Sequence, residues 1–287
     1  MKDPFYRGYL WFISMETELL FFMVCDVTFL TQVKGLTSAQ VSQVTFLSLL
    51  VSLVILVPLL KFINRFGNRI SVRLGSTLFL LSSVLITFSP NFYTVLAGGF
   101  LKSIALTLNA MGPAILKNHL TRNQTEDQFV SFQSDANSSA SFVMMITSLL
   151  CGMLFKMNAY YPMYACIALC LTGVIASFRI SRRETAANEI HLPEKKRKED
   201  GKMFGITSNM IMMFVSFALF TALTGTGRTY SRMNIQELLS GRGNDYVVSL
   251  LSMVSALAYF LKVVANILMK TAYSRVRDKA AMIVSVL

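Results

Sequence analysis

Charged residues are scarce along most of this chain, and the gaps between them are long. Gly35 to Leu60 is 26 residues without a charge, and Leu74 to Leu101 is 28, interrupted only by Ser89-Pro90-Asn91. Ala136 to Phe155 adds 20, Met157 to Phe178 adds 22, and Met203 to Gly227 adds 25. A helix needs about 20 mostly apolar residues to cross a bilayer core. The runs do not alternate apolar and polar positions, which excludes the ~10-residue strands of a membrane β-barrel. The pattern predicts an all-α fold, a polytopic transmembrane helix bundle. Eight spans are expected, at Tyr9–Leu30, Val41–Leu60, Ile70–Phe88, Phe92–Leu116, Phe129–Phe155, Tyr160–Phe178, Gly205–Thr226 and Tyr246–Met269. A ninth apolar run, Ala280 to Leu287, stops after eight residues with no polar tail, so the sequence is expected to be cut off before the protein's natural end.

Composition agrees: 54% of residues are apolar and 15% charged, against roughly 25% charged in ordinary soluble domains. Lys2 and Arg7 precede the first span, but Glu16 and Glu18 interrupt it and no small-residue cleavage site follows, so it is not a removable leader. The net charge of +12 raises the question of a nucleic-acid partner, and its distribution answers it. With the N-terminus in the cytoplasm, 20 of the 27 Lys and Arg residues fall on that side, counting the basic linker Arg179 to Lys202. Five (Lys34, Lys156, Arg228, Arg232 and Arg242) fall outside, and Lys102 and Lys262 lie within spans. That bias is the positive-inside rule, so the expected partner is the lipid bilayer of a cell membrane and not nucleic acid. The run Lys195–Lys198 then reads as a solvated linker segment near anionic lipid.

The connection after the second span carries more than charge. "LKFINRFGNR", Leu60 to Arg69, resembles the signature between the second and third helices of major facilitator superfamily transporters, roughly G-x-x-x-D-R-x-G-R-R. Arg65, Gly67 and Arg69 match, while Asn64 replaces the acid, Leu60 the first glycine and Asn68 one basic position. The resemblance implies a cytoplasmic gating motif at Asn64, Arg65, Gly67 and Arg69, with a tight turn at Gly67. It also implies six spans, a linker and a second set: an N-terminal six-helix bundle at 1–180, a basic cytoplasmic linker at 181–203 and a truncated C-terminal bundle at 204–287. "NRFGNR" aligns at an offset of 210 with "SRVRDK", Ser274 to Lys279, as a degenerate second copy would. Two family features are missing. Gly99 stands where many members have an arginine in the fourth span, and Thr147 to Gly152 keeps only the last glycine of a drug-antiporter pattern.

Candidate chemistry lies inside the spans, where one central charge costs about 2.5–3.5 kcal/mol on insertion scales. Glu18 and Asp26 in the first span and Lys102 in the fourth are the candidate substrate- or proton-coupling residues. In the family the first and fourth helices of each half line the central cavity, which would put Glu18 and Lys102 on facing helices. The alternative is a buried ion pair that only fixes packing. Glu16 is expected to be peripheral or in a polar contact, and Lys262 to reach toward the interface. Asp135, with Gln133, Ser134 and Asn137, is read either as the inner mouth of a cavity or as interfacial. Gly98, Gly99, Gly112 and Pro113 break up the fourth span. The four cysteines, all within spans, read as small apolar fillers.

The resemblance implies a secondary active transporter that moves a small-molecule solute by alternating access with protons as coupling ion. It would work as a monomer, without cofactor or metal, and not as an enzyme. The competing readings are a polytopic membrane enzyme and a membrane sensor. The two histidines, His119 and His191, lie 72 residues apart with no acid–cysteine set beside them, and the longest polar stretch is only the linker. The topology has a direct test. Reporter fusions at Asn68 and Pro193 are expected to read cytoplasmic and one at Gln236 external; a cytoplasmic signal at Gln236 would mean that a span is misplaced.

Overall fold

The computed structural model describes residues 4–16, 18–125, 128–185, 225, 227–239, 241 and 243–275. Most of these residues are helical, with no strand among them. The elements are α1 (Pro4–Glu16), α2 (Phe22–Thr28) continued by a π-helical turn (Phe29–Val33), α3 (Ser38–Phe66), α4 (Asn68–Phe88) and α5 (Phe92–Asn109). They continue with α6 (Gly112–Arg122), α7 (Phe129–Met157), α8 (Tyr161–Thr185), α9 (227–238) and α10 (Asn244–Arg275). Six stretches among them are long and apolar enough to cross a membrane: Ser38–Leu56, Asn68–Phe88, Phe92–Arg122, Phe129–Met157, Tyr161–Ile180 and Asn244–Leu268. They coincide with six of the eight expected spans. Most of the linker, nearly all of the seventh span and the run Ala280 to Leu287 lie outside the described residues.

Caps written in the sequence start two of the helices. Thr37 and Gln40 form a reciprocal capping box on α3, with Gln40 N donating to Thr37 Oγ1 at 3.2 Å and Thr37 N to Gln40 Oε1 at 3.0 Å. Asn91 and Thr94 repeat it on α5, just after the Ser89-Pro90 break. The fourth span divides where Gly112 and Pro113 predict: α5 ends at Asn109, and α6 opens with Pro113 in its first turn, where a missing N–H costs no helical bond.

The first span departs from the expected continuous helix. It is broken between Glu16 and Phe22, and Phe21 holds φ 62° and ψ −55°. Phe22 N–H bonds back to the Leu20 carbonyl at 2.7 Å, a γ-turn of the rare positive-φ kind. Neither glycine nor proline marks this break. A neighbour supports it: the Phe21 carbonyl, which takes the Val24 and Cys25 N–H groups at the start of α2, also accepts from Cys151 Sγ on α7 at 3.5 Å and from Cys25 Sγ at 3.4 Å. The cysteines are buried as expected, and two of them satisfy this carbonyl as well.

Close packing relies on small residues. α4 lies against α5 and α8, α3 against α5, α1 against α7 and α8, and α10 along α7. A Cβ on Gly98 would meet Ile86 at 2.7 Å, and Ser82 Oγ bonds the Gly98 carbonyl at 2.8 Å. A Cβ on Gly152 would meet Ser249 and Ser252 at 3.2 and 3.1 Å, which brings α7 and α10 together. Large apolar side chains such as Val54, Leu81, Met153 and Leu257 point outward, as lipid-facing surfaces require.

Gly67 joins α3 to α4 alone. Its φ of 84° and ψ of 163° lie in a region essentially reserved for glycine. Its N–H closes α3 onto the Ile63 carbonyl at 2.7 Å, and its carbonyl accepts from Ser71 Oγ at 2.9 Å. Arg65 is exposed with its guanidinium over the Phe66 ring, Arg69 is half-buried in the first turn of α4, and the Asn64 side chain lies outside the described residues. A Cβ at Gly67 would meet open space, so Gly67→Ala is expected to cost about 1–3 kcal/mol from backbone conformation alone. Gly227→Ala, at a helical position with equal space, is expected to be near neutral. Thermal unfolding of the purified protein in detergent compares them, and equal effects would show that the turn is unstrained.

Candidate functional site

The break in the first span sends its two carboxylates to different places. An unbroken helix would hold Glu16 and Glu18 about 160° apart on one cylinder. Instead Glu16, at the end of α1, is 2% exposed and accepts from Asn109 Nδ2 at 2.8 Å. Gly173 on α8 and Gly75 on α4 leave the space: a Cβ at Gly173 would collide with Glu16 Oε1, and one at Gly75 with Asn109 Oδ1. Glu16 is therefore a buried polar contact and not peripheral. It ties α1 to the end of α5.

Glu18 faces a cavity of about 340 Å³. Asp26 and Lys102 line the same cavity, so all three candidate residues are brought together. Its walls come from the unwound segment and α2, from α3 (Val44, Ser48), from α5 (Gly99, Lys102, Ser103) and from α9 (Arg228, Thr229, Arg232). Apolar side chains including Phe22, Leu30 and Leu106 complete it.

The charge pairing differs from the simple expectation of facing helices. Glu18 lies 3.8 Å from Arg228 NH1, a separation too long for a hydrogen bond. Asp26 is held at 2.8 Å by Arg232 NH1, and its Oδ1 also accepts from Val27 N–H at 2.8 Å. Arg232 further donates to the Met23 carbonyl. Lys102 contacts no carboxylate among the described residues; its Nζ sits 5.9 Å from the centroid of the Phe22 ring.

Arg228 and Arg232, counted on the outer side and not among the candidate residues, also line this cavity. They belong to a helix, and Arg232 is only 8% exposed. Their spacing of four, on the end of an uncharged run, was the available signal: such a pair shares one helix face. Further polar contacts surround them. Gln236 donates to Thr31 Oγ1 at 2.8 Å, and Thr28 Oγ1 to Gln236 Oε1 at 3.3 Å.

A second polar tie lies at the other end of the bundle, near Gly67. Lys270 Nζ on α10 grips both Asp135 oxygens, at 2.6 and 2.8 Å, and Tyr6 OH on α1 donates to Oδ2 at 3.3 Å. Ser134 Oγ donates to the Asn266 carbonyl at 2.9 Å, and Tyr9 OH to Gln133 Oε1 at 2.8 Å. The Gln133–Asp135 cluster thus joins α1, α7 and α10. Lys262 is exposed on α10.

The family model for the Major Facilitator Superfamily matches residues 11–287. The chain belongs to that superfamily. It is accordingly a multi-pass membrane protein of a transporter family whose members carry small solutes across membranes and are typically not enzymes. No curated protein matches it.

Proposed function

We propose that this superfamily member is a secondary active transporter that moves a small solute by alternating access, coupled to protons. On this reading the bundle at 1–180 and the helices from 204 onward are the two moving parts, joined by the 181–203 linker. The N-terminus and linker lie in the cytoplasm, the protein sits in the cell membrane as a monomer, and the Asn64–Arg69 turn, with Arg65, Gly67 and Arg69, gates the cytoplasmic end.

The observation that carries the reading is the cavity itself. It lies between α9 and the first, second and fourth spans, and it holds a loosely paired carboxylate next to a tightly paired one. Polar ties between residues of 1–180 and of 225–275 flank it in two sets, Arg232–Asp26 with Gln236–Thr31, and Lys270–Asp135. Releasing one set while the other holds would open the cavity to one side at a time. The broken first span supports the same reading, because irregular backbone at membrane depth is tolerated where it lines a cavity or is buried in protein.

Glu18 is the group proposed to carry the coupling proton. The Arg228 guanidinium faces it at 3.8 Å without a hydrogen bond, whereas Asp26 is fixed by Arg232 at 2.8 Å. Lys102 and Asp26 complete the substrate- and proton-coupling set. In the intact protein in sealed vesicles, Glu18→Gln is expected to abolish accumulation driven by a pH gradient while leaving downhill exchange partly intact, because a neutral side chain mimics the protonated state. Full pH-driven accumulation by Glu18→Gln would sink the assignment and move it to Asp26.

A further inference from the structure

We propose that the solute is a small organic monocarboxylate, held between Lys102 and Arg228 and loaded together with the proton on Glu18. This rests on the transporter reading above and adds the substrate class. The charge balance of the cavity points to it. Lys102, Arg228 and Arg232 face two carboxylates, Glu18 and Asp26, an excess of one positive charge. Arg232 and Asp26 satisfy each other at 2.8 Å. Among the described residues that leaves Lys102 beside the Phe22 ring, and Arg228, whose side chain is 56% exposed, at 3.8 Å from Glu18 without a hydrogen bond. The Lys102 ammonium in the cavity and the Arg228 guanidinium at its solvent-exposed edge form an anion site, and a planar guanidinium suits a carboxylate.

A neutral donor stands nearby. Ser48 Oγ is buried without a hydrogen-bond partner, and it packs against Gly99, three residues from Lys102 on α5. A carboxylate oxygen at Lys102 gives this hydroxyl an acceptor. The volume of about 340 Å³ is at the small end of ligand pockets, and Phe22, Leu30, Val44 and Leu106 offer an apolar wall to the rest of the molecule.

Proton and anion enter as a neutral pair. When Glu18 is ionised, Arg228 has a counter-charge and the cavity carries one net positive charge. When Glu18 takes a proton, Arg228 loses that counter-charge and the excess rises to two. A bound monocarboxylate returns it to one, so the loaded and empty cavities carry the same charge. A neutral or cationic solute gives no such balance.

Thermal stabilisation of the purified intact protein tests this, with acetate, lactate and benzoate against mannitol and tetraethylammonium at constant ionic strength. At least one of the carboxylates is expected to stabilise the protein, more at mildly acidic than at mildly alkaline pH. Lys102→Gln is expected to weaken its apparent affinity about tenfold or more, while Lys102→Arg keeps most of it. If Lys102→Gln does not fold, the solute preference and its pH dependence in the unmodified protein decide alone. Stabilisation by mannitol or tetraethylammonium but by no carboxylate would overturn the anion class and leave the transporter reading standing. Carboxylate binding that is indifferent to Lys102→Gln would overturn the site. The same carboxylate moving across vesicles with no response to a pH gradient would overturn the proton coupling on Glu18 and leave the anion site intact.

Discussion

The Asp26–Arg232 pair is the interaction on which the arrangement of this molecule turns. Arg232 is nearly buried and the Asp26 side chain is 23% exposed, and charges withdrawn from water are costly unless they satisfy each other and their remaining hydrogen-bonding groups. Here Arg232 bonds both the Asp26 carboxylate and the Met23 carbonyl, and Val27 N–H donates to the same Asp26 oxygen. The guanidinium thereby pins α9 to the inner face of α2. α2 is a short helix of seven residues with a γ-turn at one end and a π-helical turn at the other, so little in its own hydrogen bonding would hold it in place. The pair fixes one wall of the cavity, with Arg228 one turn before Arg232 in α9 and Glu18 eight residues before Asp26, across the γ-turn.

The break before α2 separates two kinds of carboxylate within three residues. Glu16 is sealed among α1, α4, α5 and α8, where Asn109 and two glycines receive it. Glu18 is placed in the cavity with a distant cation. On the proposed reading the first is structural and the second changes its charge during transport. The cation–carboxylate tie at Lys270 and Asp135 closes the opposite end of the bundle. On the proposed reading, alternating access amounts to exchanging which end is tied, with the charge on Glu18 and the occupant of the Lys102 side biasing the exchange.

Much of this was legible in the sequence, for physical reasons. Uncharged runs of bilayer length have one helical solution, so six spans fall where hydropathy puts them. Thr37-x-x-Gln40 and Asn91-x-x-Thr94 announce their helices, and Gly67 announces a turn that no other residue adopts easily. The break at Phe21 was not legible. No glycine or proline marks it, and the Cys151 thiol that meets the Phe21 carbonyl comes from a helix 130 residues away. Glu18, Asp26 and Lys102, which line one cavity, stood out in the sequence because charge inside a bilayer is rare. Arg228 and Arg232 did not stand out because they adjoin an apolar run instead of interrupting it, and their pairing depends on carboxylates some 200 residues earlier in the chain. The pairing of Glu18 with Arg228 instead of Lys102 follows from the same long-range placement of α9.

A double-mutant cycle on Asp26 and Arg232, read as the unfolding temperature of the purified protein, tests the central claim most directly. Removing one partner of a buried pair costs about 3–5 kcal/mol, because the other charge is left stranded. Arg232→Gln alone is therefore expected to destabilise strongly. The double change Asp26→Asn with Arg232→Gln is expected to cost clearly less than the sum of the single changes, with a coupling of about 0.5–3 kcal/mol. Strict additivity, or an Arg232→Gln variant as stable as the parent, would contradict the account.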